Sequence, residues 1–94
     1  MDPCEKRVQQ SHPSDNVVTA LAEVAEGTVI QLGNMQVVAR TAIPFGHKMA
    51  ITPIPGGDLV IKYGEVIGVA TSDIAVGDHV HSHNLVTQRG RQRR

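Results

Sequence analysis

Apolar and polar positions along the chain alternate in short runs that end at glycine, and one such run recurs four times. Each copy has an alanine, a small residue two places on, Val or Ile four places on and Gly seven places on. The copies are Ala20 to Gly27, Ala39 to Gly46, Ala50 to Gly57 and Ala70 to Gly77. Alternation with a period of two is the mark of a strand, and the closing glycine allows the positive φ that a tight corner requires. The copies begin 19, 11 and 20 residues apart. An even array of stacked repeats needs a constant period, so this rhythm excludes a solenoid and points to a duplicated pair. The segment Val24 to Met49 then maps onto Ile54 to Val80, with Gly27 over Gly57, Gly46 over Gly77, and Gly33 over Gly64 after one inserted residue. Pro44, Pro53 and Pro55 exclude helix from the second and third copies. The first copy, Asn16 to Glu23, follows an Asp15 that could equally cap a helix. Its equivalence to the others assigns it as a strand. The pattern therefore predicts an all-β domain with an internal pseudo-two-fold repeat.

Composition sharpens this picture. Of the 94 residues only Phe45 and Tyr63 are aromatic, so the core must be built from aliphatic side chains. A single domain of this size is near the limit at which one core suffices, and association with other chains is expected to supply further burial. No apolar run approaches the ~20 residues of a membrane-spanning helix, and no hydrophobic targeting segment opens the chain. Cys4 is the single cysteine and can form no internal disulfide. These features lead us to expect a cytoplasmic protein that does not engage a membrane.

The charge is neutral overall but unevenly placed. Residues 1–11 read as a flexible leader, 12–84 as the folded domain and 85–94 as a flexible tail rich in arginine. Within 12–84 three cations face seven carboxylates, a net charge of −4. An acidic domain is a poor ligand for phosphate backbones, so nucleic acid is not an expected partner.

Polar chemistry gathers in four places. His79, His81 and His83 alternate with Val80 and Ser82, so on a strand the three imidazoles share one side, and neighbours there can converge on a metal ion. A polar outer face of an edge strand would give the same spacing. His47 and Lys48 follow the Gly46 corner, where the backbone can approach a ligand closely. Lys62 and Tyr63 precede Gly64 at an inferred hairpin turn, and lysines beside glycine turns suit anions such as carboxylates. His12, Asp15 and Asn16 stand together at the entry to the first strand.

These same segments carry a family resemblance. His12-Pro-x-Asp15-Asn16-Val17, Ile43-Pro44-x-Gly46-His47-Lys48-x-Ala50, Val60-Ile61-Lys62-Tyr63-Gly64-x-x-Ile67-Gly68 and Val80-His81-x-His83-Asn84 resemble the N-terminal SAF-type domain of altronate and galactarate dehydratases. The same domain is similar to the small subunit of sulfolactate sulfo-lyase, although the opening motif is nearer the altronate dehydratase branch. The resemblance implies a β-clip fold and a hydro-lyase acting on a sugar acid in carbohydrate catabolism. It also implies a divalent metal, Fe2+ or Mn2+, shared with a large catalytic subunit. Dehydratases of this family usually carry a large second domain, and this chain ends at Arg94, so we expect a small subunit that self-associates when isolated. On this reading His47 and Lys48 contact the carboxylate or leaving group, and Lys62 and Tyr63 serve as anion-binding or proton-relay groups. His12, Asn16 and Asn84 face substrate, while His81 and His83, then His79, are candidate metal ligands. Two alternatives stand beside it: a sulfolactate sulfo-lyase small subunit, and a non-catalytic SAF module for binding or assembly.

Overall fold

The computed structural model describes residues 7–87, and every described element is a strand or a turn. Nine strands follow in order: β1 (Val8–Gln9), β2 (Val17–Ala20), β3 (Val29–Leu32), β4 (Met35–Val38), β5 (Lys48–Ala50), β6 (Leu59–Lys62), β7 (Glu65–Ala70), β8 (His79–Val80) and β9 (Leu85–Thr87). They form a four-stranded sheet ordered β1-β2-β5-β8, a β3-β4 hairpin and a three-stranded sheet ordered β6-β7-β9, all antiparallel. The result is an elongated body of 47 × 23 × 21 Å. The first copy of the repeat is strand β2 and its outgoing corner, so tertiary pairing with β5 overrides the helix that Asp15 could have capped.

The duplication is visible bond by bond. Gly27 N–H donates to Ala39 O and Gly57 N–H to Ala70 O; Gly46 N–H donates to Ala20 O and Gly77 N–H to Ala50 O, each at 2.8 Å. The bridge Val24↔Ile43 has its counterpart in Ile54↔Ile74. Two buried clusters follow the same mapping: Ala20, Val24, Ile30, Ala39, Ile43 and Met49 in one correspond to Ala50, Ile54, Val60, Ala70, Ile74 and Val80 across the two. Strand alternation assigns Val18 and Met49 to one face of the central sheet and Val17, Ala50 and Val80 to the other. The central sheet therefore separates two small aliphatic cores, and each hairpin closes over one of them.

One detail of the mapping differs from the sequence expectation. The pairs Ile61↔Val66 and Lys62↔Glu65 match Gln31↔Gln36 and Leu32↔Met35, so Gly33 corresponds to Tyr63 and not to Gly64. Gly33 has φ 61°, while in the second hairpin both Tyr63 (φ 58°) and Gly64 (φ 72°) are left-handed. That is the difference between a II′-like and a I′-like turn. The inserted residue is Ile67, beyond the turn, where the β6/β7 register shifts. The bulge places Gly68 where the first half has Val37. A Cβ at Gly68 would run into the Val86 carbonyl and the Leu85 side chain, so β9 packs where a branched side chain sits in the first half.

Ordered pairing also extends past both ends of the expected 12–84 domain. Strand β1 pairs with β2, burying Val8, and β9 pairs with β7. The leader and tail thus each contribute a strand, added to the sheets because the neighbouring edges offer unpaired backbone groups. The rest of both terminal segments lies outside the described residues.

Two corner glycines allow a matched stability test. Gly57 and Gly77 share φ 92°, but a Cβ at Gly57 meets nothing, whereas one at Gly77 collides with the Val38 carbonyl. Gly57→Ala should cost about 1–2 kcal/mol from left-handed backbone strain. Gly77→Ala should cost about 1–3 kcal/mol more through overpacking. Urea denaturation of both variants measures the difference.

Candidate functional site

The site grows from the pairing of β5 with β8, which joins the corner of the first half to the end of the second. Lys48 lies opposite Val80 and Met49 opposite His79. This register brings His47, immediately before β5, against the imidazoles of the second half. His47 Nδ1 and His79 Nε2 are 2.8 Å apart. The ring of His47 stacks on that of His81 with centroids 4.0 Å apart and an interplanar angle of 14°. His79 lies 5.6 Å from His81 and 5.1 Å from His83, the latter tilted by 42°. Four imidazoles from two distant segments thus form one cluster.

Its shape departs from the simple strand that alternation suggested. β8 ends at Val80, and residues 81–84 form a turn closed by the Asn84 N–H donating to His81 O at 3.0 Å. The buried Asn84 amide fixes this turn from inside: its Nδ2 donates to His79 O at 2.9 Å and its Oδ1 accepts the His81 N–H at 2.9 Å. Both ends of the Asn84 side chain are therefore used in shaping the imidazole-bearing loop.

Among the described residues, His47, His79 and His81 make up a set with metal-ligand spacing, their ligand nitrogens all lying within 4.8 Å of one another. His83 touches only the edge of this group. Desolvation, reinforced by the neighbouring His47, His83, His81 and Lys48, holds His79 below the ordinary imidazole range. Desolvation followed by His47, Lys48 and His83 does the same for His81. Both shifts favour the neutral ring, which keeps a lone pair available. An open groove of about 540 Å3, lined by Thr41, Asp73, Asp78, His79, His83 and Asn84 among others, adjoins the cluster.

Lys48 leaves the other face of the same sheet, while Lys62 comes from the end of β6 in the neighbouring sheet. Alternation puts Lys48 with Ala50 and Val80, and its half-buried ammonium has its pKa lowered by burial and then by Lys62. Lys62 Nζ lies 4.7 Å over the ring of Tyr63, whose side chain is exposed. Lys48 is within electrostatic range of Lys62 on one side and of His79 and His81 on the other. Lys48 and Lys62 thus adjoin the imidazole cluster from two different sheets. Thr19, opposite Lys48, buries a hydroxyl that has no hydrogen-bond partner among the described residues. Nothing in the sequence motifs drew attention to Thr19; only the strand register does.

His12 and Asn16 occupy a third position, on the β6-β7 hairpin. The Asn16 side chain bonds the edge of β6, with Nδ2 donating to Leu59 O at 3.0 Å and Oδ1 accepting the Ile61 N–H at 2.8 Å. The ring of His12 covers Gly64 so closely that a Cβ there would lie 3.0 Å from its Cδ2. Its Nδ1 accepts the Ser14 N–H at 3.1 Å. The buried Asp15 carboxylate accepts the N–H groups of Tyr63 at 3.1 Å and Gly64 at 2.8 Å. The entry motif therefore clamps the turn that carries Lys62 and Tyr63.

Paired hairpins folded over a shared sheet, with glycine corners and polar groups at the crossing, define a β-clip of the SAF type. The chain belongs to the family described as the altronate/galactarate dehydratase SAF domain, which matches residues 6–88. It is 51% identical over 76 residues to altronate dehydratase of Escherichia coli (strain K12), covering 81% of this chain and 15% of that protein. It is 37% identical to altronate dehydratase of Bacillus subtilis (strain 168) over the same length and shares. Identity to (2R)-sulfolactate sulfo-lyase subunit alpha of Paracoccus pantotrophus is 46% over 56 residues, 60% of this chain and 84% of that subunit. The chain thus spans about 15% of the length of the altronate dehydratases it matches. Its relatives are lyases, and no helix among the described residues is long and apolar enough to cross a membrane.

The clamp is testable through pH. Burial acts to raise the Asp15 pKa, but the backbone N–H groups of Gly64 and Tyr63 outweigh it and hold the carboxyl below its ordinary value. A carboxyl depressed in the folded state contributes stability above its unfolded pKa of about 3.9, which is lost as pH falls through the folded value. Asp15→Asn should cost about 1–3 kcal/mol at pH 7. The difference from wild type should narrow below about pH 4 in denaturation curves taken across that range.

Proposed function

We propose that the chain is the small, SAF-type component of a sugar-acid dehydratase, setting its imidazole and lysine edge against a substrate held by a larger catalytic component. The observation that carries this reading is the convergence of His47 and Lys48 from one half with His79 and His81 from the other. In such a reaction the proton next to a carboxylate is removed, the neighbouring hydroxyl leaves as water, and the enol becomes a 2-keto-3-deoxy acid. Negative charge builds on the carboxylate side in the transition state, where a partly desolvated ammonium is most effective. Lys48 meets that description, with Lys62 beside it. The ring N–H groups of His47 and His81 can donate a hydrogen bond to a departing hydroxyl. The carbon-bound proton is taken by a base on the larger component.

A second reading rests on the similarity to (2R)-sulfolactate sulfo-lyase subunit alpha, 46% identical over 56 residues: a two-component sulfo-lyase would use the same edge on a sulfonate. A non-catalytic SAF module is the third alternative, which the converging polar edge disfavours.

The outer face of the β6-β7-β9 sheet suits the larger component or a second copy. Leu59, Val69 and Val86 align across the three strands, and Leu59, Val66 and Val86 remain 45%, 44% and 48% exposed. Leu59→Asp should weaken that association while leaving the fold intact, because the side chain already faces solvent. Light scattering and co-purification with the larger component measure it.

Activity of the reconstituted pair tests the reaction. His47→Ala and Lys48→Ala should each lower turnover by about 10²–10⁴-fold, with denaturation midpoints close to wild type. Turnover of an altronate-type acid supports the dehydratase, and desulfonation of sulfolactate supports the second reading. Wild-type turnover in both variants would assign the chain to the non-catalytic class.

A further inference from the structure

We infer that His47, His79 and His81 form an intradomain binding site for a first-row divalent transition metal, complete without ligands from a second chain. The inference stands on ring geometry and holds whichever of the lyase readings is correct.

Distances carry the first step. Metal–imidazole bonds of about 2.0–2.1 Å set two ligand nitrogens about 2.9 Å apart at a right angle and about 3.3 Å apart at the tetrahedral angle. His47 Nδ1 and His79 Nε2 are 2.8 Å apart, already at the short end of that range. The remaining separations, up to 4.8 Å, involve the exposed His81, which swings off its stack on His47 by rotation about its side-chain torsions. In the metal-free cluster one of the two facing nitrogens carries the proton of the hydrogen bond. Moving that proton to the other nitrogen of the same ring presents two lone pairs to the ion without changing the charge of either imidazole.

Backbone support favours binding. The Asn84 amide fixes the main chain at His79 and His81, and the β5/β8 ladder fixes His47 relative to both. Three ligands on supported backbone are the usual protein contribution to an open metal site, which leaves positions for water or a substrate oxygen. The groove beside His79 gives access to them.

Donor type selects the ion. An all-imidazole set without a carboxylate suits Fe2+, Co2+, Ni2+ or Zn2+ and is a poor match for Mg2+ or Ca2+. The assignment also differs from the family resemblance, which implied His81 and His83 ahead of His79: His83 contacts His79 but lies outside the convergent set.

Titration of the untagged 94-residue chain with Co2+ alone and with Zn2+ alone tests the site. We expect saturation at one ion per chain, a higher thermal midpoint when loaded, and no response to Mg2+. X-ray absorption of the Zn2+-loaded chain should show three imidazole ligands. His47→Ala and His81→Ala should each weaken Co2+ binding by at least about tenfold, as loss of even an outer supporting group commonly does. His12→Ala and His83→Ala should stay close to wild type. Circular dichroism of each metal-free variant checks folding, and His47→Gln, closer in volume, replaces any alanine variant that fails. Absence of Co2+ and Zn2+ binding, fewer than three imidazoles in the absorption spectrum, or retention in His47→Ala with loss in His83→Ala would overturn the assignment.

Discussion

Strand β5 is the constraint on which the rest of the domain depends. It has three residues, yet it hydrogen-bonds to β2 on one side and β8 on the other and so holds the two halves of the duplication in one sheet. Met49 belongs to one aliphatic core and Ala50 to the other, both fully buried. A one-residue slip in its pairing would exchange those faces, exposing Met49 and driving the Lys48 ammonium into the apolar interior. The register that protects the cores is the same register that sets His47 against His79.

Departures from the internal symmetry account for much of the chemistry. Lys48 is the first-half equivalent of His79 and Asp78 the second-half equivalent of His47, so the imidazole pair arises at a junction that occurs once. The Ile67 bulge and Gly68 make room for β9, which anchors the loop beyond the imidazoles by pairing Leu85 with Ala70. Bulges commonly mark places where a strand is re-aimed beside a functional region, and here the re-aimed strand carries the return path of the histidine loop.

Much of the architecture was legible in the residues because each corner announces itself by glycine and alternation. Gly27, Gly46, Gly57 and Gly77 all take the positive φ that their positions implied, and their hydrogen bonds repeat in pairs. The hairpin tips were less legible. Gly33 and Gly64 look equivalent in sequence, but a type I′-like turn tolerates Tyr63 in the left-handed region when Asp15 bonds the turn's N–H groups, and that support comes from 48 and 49 positions away. Alternation alone also extended the histidine strand too far, since it cannot register an asparagine that closes a turn on its own backbone. Asn16 shows the same blind spot. A polar residue in a motif reads as a ligand contact, while the amide in the fold completes the unpaired edge of β6.

Lysines and imidazoles from different sheets and faces act on one another across this junction. Burial and then Lys62 lower the Lys48 pKa, and Lys48 in turn contributes to lowering those of His79 and His81. Positive charge thus sits beside rings whose neutral form is favoured at His79 and His81. The acidic balance of the surrounding domain confines that positive potential to the edge. The place where the two halves meet, with its imidazoles and Lys48, is fixed by a pairing only two residues long.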